Sequence, residues 1–76
     1  MNKNRRKQIA NLIVSLETIK SKIDNILSDE QEYLDNIPEN LQCSERYDVA
    51  DNAIGSLDLA ISNVDEALSA LEEAQA

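Results

Sequence analysis

Apolar residues recur along this chain in steps of three and four. In the first half they fall at Ile9, Leu12, Ile13, Leu16, Ile19, Ile23, Ile26, Leu27 and Leu34. Wound into a helix, they form a stripe roughly 100° wide, the width of a bundle helix rather than of a bare two-stranded seam. With Ile9 at heptad position a, that column holds Ile9, Leu16, Ile23, Glu30 and Ile37. Position d holds Leu12, Ile19, Ile26 and Tyr33, and position e holds Ile13, Lys20, Leu27 and Leu34. Strict alternation is missing, so strands are not expected. The second half is more regular: Tyr47, Ala50, Ile54, Leu57, Ile61, Val64, Leu68 and Leu71. With Tyr47 at a, the g column is Ala53, Ala60, Ala67 and Ala74, and the e column is Asp51, Asp58, Asp65 and Glu72.

Pro38, the only proline, separates the two patterns. The residue before a proline is biased away from helical backbone angles, so the first helix is expected to end between Asp35 and Ile37. PENLQC then reads as a short connector, with room for one turn and proline at its first position. Ser44 reads as the N-cap of the second helix, with Glu45 favouring its dipole. Ser28-Asp29-Glu30-Gln31 has the form of a capping box, yet the stripe keeps its phase across it, so one continuous helix is expected. The chain is thus read as a single all-α domain: a helix over about 4–36, a connector over 37–44 and a helix over about 45–74. Equal helices on a short connector imply an antiparallel hairpin, with Ile9 opposite Leu71, Leu16 near Val64 and Leu27 near Ile54. Two helices bury one seam and leave much of each stripe uncovered, so dimerisation into a four-helix bundle is expected. The helix-packing or oligomer contacts are assigned to Ala53, Ala60 and Ala67, to Ile54, Leu57, Ile61, Val64 and Leu68, and to Ile9, Leu16 and Ile23.

Composition sharpens this. At 76 residues the chain is one small domain, a size that usually needs disulfides, metal or association to support its core. Cys43 is the only cysteine, so no disulfide forms within one chain, and a lone thiol fits a reducing compartment. The net charge of −8 is uneven, at +5 over residues 1–22 and −13 over residues 23–76. An antiparallel hairpin would set Arg6 and Lys7 beside Glu72 and Glu73, which explains the asymmetry without a ligand. No apolar run approaches the roughly 20 residues of a membrane span, and the basic start lacks a leader's apolar core and cleavage site. A cytoplasmic protein is expected, with no membrane partner.

The chemistry follows largely by exclusion. Histidine is absent and glycine occurs once, so Ser–His or Cys–His catalysis and glycine-rich phosphate loops are ruled out. No enzyme, metal site or cofactor is expected. Asp29, Glu32 and Asp35, with Glu30 beside them, lack the spacing and glycine of an EF-hand loop and read as a solvated acidic face. With Asp51, Asp58, Asp65 and Glu72 they are the candidate partner-binding surface. Glu30 at an a position is a candidate for fixing register. Direct nucleic-acid binding is not expected, because NKNRRK is followed by a strongly acidic chain. A rigid rod bearing regularly spaced acids could instead imitate a phosphate backbone. Cys43, near a helix start, reads as a small replaceable loop residue.

The connector region carries a family likeness. YLDNIPENLQ followed by SERY, within Tyr33 to Ile61, resembles small helical proteins of bacteriophages and mobile elements of Gram-positive bacteria. The resemblance implies a phage origin, a bacterial host cell and a small accessory role, and it transfers no catalytic residues. Together with the exclusions above it leads to a non-enzymatic protein-binding module, a phage-encoded modulator or inhibitor of a host defence protein that also associates with itself. The alternatives are an acidic nucleic-acid mimic and a purely structural assembly component.

Overall fold

The computed structural model describes all 76 residues. Helix α1 runs Lys3–Asp35, a 3-10 turn Glu39–Leu41 follows, and helix α2 runs Glu45–Gln75. The helices pack against each other along their lengths as an antiparallel hairpin. The result is a rod of 60 × 15 × 13 Å with a radius of gyration of 17.4 Å. A compact chain of this length would have a radius near 11 Å, so the hairpin has a seam rather than a globular core.

Local chemistry sets the boundaries. The Asn2 side chain accepts a hydrogen bond from the Arg5 N–H at 2.8 Å and caps α1. Asparagine directly before a helix is a signal of such a cap that hydrophobic periodicity does not carry. α1 continues through Ser28-Asp29-Glu30-Gln31 without a break. It stops at Asp35, where the Asn36 N–H bonds back to the Glu32 carbonyl at 3.1 Å. Pro38, lacking an N–H, starts the 3-10 turn, and its carbonyl accepts from the Leu41 N–H at 2.8 Å. Ser44 caps α2 as expected, its hydroxyl accepting from the Tyr47 N–H at 3.3 Å.

The connector uses no glycine and no positive φ. The one glycine, Gly55, lies inside α2, and a Cβ added there would meet nothing within 4 Å. It therefore costs helix stability without relieving a clash. Gly55→Ala is expected to stabilise the hairpin by about 0.5–1 kcal/mol, read as a higher thermal midpoint by circular dichroism. An unchanged or lowered midpoint would show that the glycine serves a contact absent from the isolated chain.

Four residues are buried: Ile13, Leu34, Ile37 and Ala50. Three of them, Leu34, Ile37 and Ala50, form a cluster at the connector end, with Tyr47 and Ile54 packed against it. Ile54, Leu57, Ile61, Val64 and Leu68 of α2 and Ile9, Leu16 and Ile23 of α1 are half-buried along the seam. Leu27 and Ile54 line one groove, together with Asp58. α2 turns its a and d columns inward. α1 turns its a and e columns inward and leaves the d column, Leu12, Ile19, Ile26 and Tyr33, outside.

The expected pairing of Arg6 and Lys7 with Glu72 and Glu73 does not form. The single ion pair joins Lys20 to Asp65 at 2.6 Å, halfway along the rod.

Candidate functional site: two opposed faces

The rod has no enclosed pocket. Its concavities are open grooves beside the seam, and the two sides of the seam differ in kind.

One side is acidic. Near the middle, Glu17, Lys20, Ser21 and Asp24 of α1 share a groove with Leu68 and Glu72 of α2. Toward the connector, Glu32 and Asp35 share another with Asp58. The steps of seven from Glu72 through Asp65 and Asp58 to Asp51 run one column of acids down this side. Lys20 is its central cation. Its hydrogen bond to Asp65 holds its pKa above the ordinary lysine value of 10.5, the charge of Asp65 adds to this, desolvation opposes it, and Asp24 and Glu17 contribute further. Its side chain keeps 36% exposure, so the ion pair orients the helices more than it stabilises them. Asp65 is therefore committed within the chain, whereas Asp51, Asp58 and Glu72 form no ion pair.

The other side carries the exposed apolar column of α1, with Glu30, Glu45 and Arg46 at its connector end. Leu12, Ile19, Ile26 and Tyr33 are 53%, 46%, 55% and 42% exposed. The Arg46 guanidinium lies over the Tyr33 ring, 5.5 Å from its centroid, a cation–π contact worth about 0.5–1 kcal/mol at an exposed site. Arg46 occupies the g position one heptad before Ala53, so this contact sets the d column of α1 and the alanine column of α2 on the same side. Ala53 and Ala60 are half-buried; Ala67 and Ala74 are exposed. The next column of α2 outward, Val49, Ser56, Asn63 and Ala70, carries no charge either, and Val49 is 61% exposed in a groove it shares with Tyr33 and Arg46.

The residues singled out in the sequence are divided between these sides. Asp51, Asp58, Asp65 and Glu72 stand in one column, with Glu32 and Asp35 near Asp58. Asp29 is separate: it lies three residues after Ile26 and four before Tyr33, a helical spacing that sets it beside the aliphatic column. Glu30 is half-buried and lines the groove of Tyr33 and Arg46. Cys43 is exposed in the connector. No three carboxylates or thiols come close enough to hold a metal ion, and no helix is long and apolar enough to cross a membrane. Periodicity gave the d column of α1 no role distinct from the rest of the stripe; its unbroken step of seven was the available signal. Comparison of the chain with protein-family models, with curated proteins and with solved structures finds no match.

Proposed function

We propose that this chain is a non-enzymatic protein-binding module that associates with itself and presents its acidic side to a basic surface of a partner protein. The observation that carries the reading is the sorting of charge about the seam. A solvated helix pair has no need to run an unbroken column of acids down one side of its seam. Sorted charge raises encounter rates with an oppositely charged surface and suppresses wrong partners. The resemblance of the connector to phage and mobile-element proteins gives the proposal its biological form: a phage-encoded modulator or inhibitor of a host protein in the bacterial cytoplasm, with a defence protein as the leading target.

A second reading, imitation of a nucleic acid, rests on the straight acidic column. Its charges repeat about every 10.5 Å along α2 at ~1.5 Å per residue, against one charge per ~1.7 Å of duplex DNA. That density is too low for close imitation, so the protein-binding reading stands first.

The test is capture from a Gram-positive bacterial lysate on the immobilised chain, with the retained protein identified by mass spectrometry. At about 0.05 M salt a specific protein with a basic surface is expected to be held, and at about 0.5 M salt to be released, because screening shortens the reach of exposed charges severalfold. Displacement by duplex DNA would select the imitation reading. Absence of any specific capture, or capture indifferent to salt, would count against both.

A further inference from the structure

We draw no further inference here: the strongest candidate, the exposed column of Leu12, Ile19, Ile26 and Tyr33 on α1, is an unpartnered apolar face with Glu30, Glu45 and Arg46 at its connector end, and nothing in the structure shows what covers it.

Discussion

Leu34→Ala is expected to destabilise the hairpin by about 2–3 kcal/mol, toward the lower end of the range for leucine truncation in cores. The reason lies in how little is buried. Leu34 is 7% exposed and packs with Ile37 and Ala50 in the one cluster of buried side chains, against which Tyr47 and Ile54 rest. Removing its isobutyl group leaves a void between the last turn of α1 and the start of α2, where the short connector restricts collapse. A chain of this size has a total stability of roughly 4–11 kcal/mol, so the loss is a large fraction of the whole. At about 4–8 °C per kcal/mol, the thermal midpoint should fall by roughly 10–20 °C. Ile26→Ala makes the informative contrast. Ile26 is 55% exposed, so in the isolated hairpin its truncation leaves no void and should cost under about 1 kcal/mol. If Ile26 is covered in a dimer, its effect should grow with protein concentration, whereas that of Leu34→Ala should be large at any concentration. A small, concentration-dependent effect at Leu34 would mean that the cluster at the connector does not organise the fold.

That cluster also explains which parts of the fold could be read from the sequence. The two helices, their ends, the Ser44 cap and the a/d seam of α2 follow from periodicity and from the chemistry of Pro38. The rotation of α1 does not. Its stripe offers three apolar columns, and a single neighbouring helix can cover two. A heptad convention favours a and d, and Lys20 in the e column argues against burying that side. The structure buries a and e. Stepping back by sevens from Ile37 gives the a column, and from Leu34 the e column. Both residues are fixed by the buried cluster beside the connector, so the turn sets the phase of the whole helix. Lys20 is accommodated because its long stem carries the ammonium to the rim, where Asp65 receives it. The same rotation pushes Leu12, Ile19, Ile26 and Tyr33 outward as an exposed apolar column. The ion pairing departs from the charge asymmetry of the sequence for a related reason. Summed charge over each half of the chain suggested pairing between the rod's ends, but pairing depends on which columns meet, and the columns that meet put Lys20 opposite Asp65.

Reversing Asp51, Asp58 and Glu72 together to lysine is expected to abolish salt-sensitive partner binding while leaving the hairpin folded. Asp65 belongs to the same column, yet changing it would break the Lys20 contact and confound stability with binding. The three chosen residues are exposed and form no ion pair. Each reversal moves the formal charge by two units, from −8 to −2 for all three, which relieves like-charge repulsion along the acidic side. Folding stability should therefore be unchanged or slightly raised. Binding should respond in the opposite sense. An exposed ion pair contributes up to about 1 kcal/mol, and reversal replaces an attraction with a repulsion of similar size. Three reversals should thus cost about 3 kcal/mol or more, over a hundredfold in affinity, and the loss should shrink as salt screens both terms. Titration of the captured partner against both chains at low and moderate salt measures this directly. An unaltered affinity would remove the acidic side from the binding surface and move the search for the partner's footprint to the outer faces of the helices, around Val14 and Leu59.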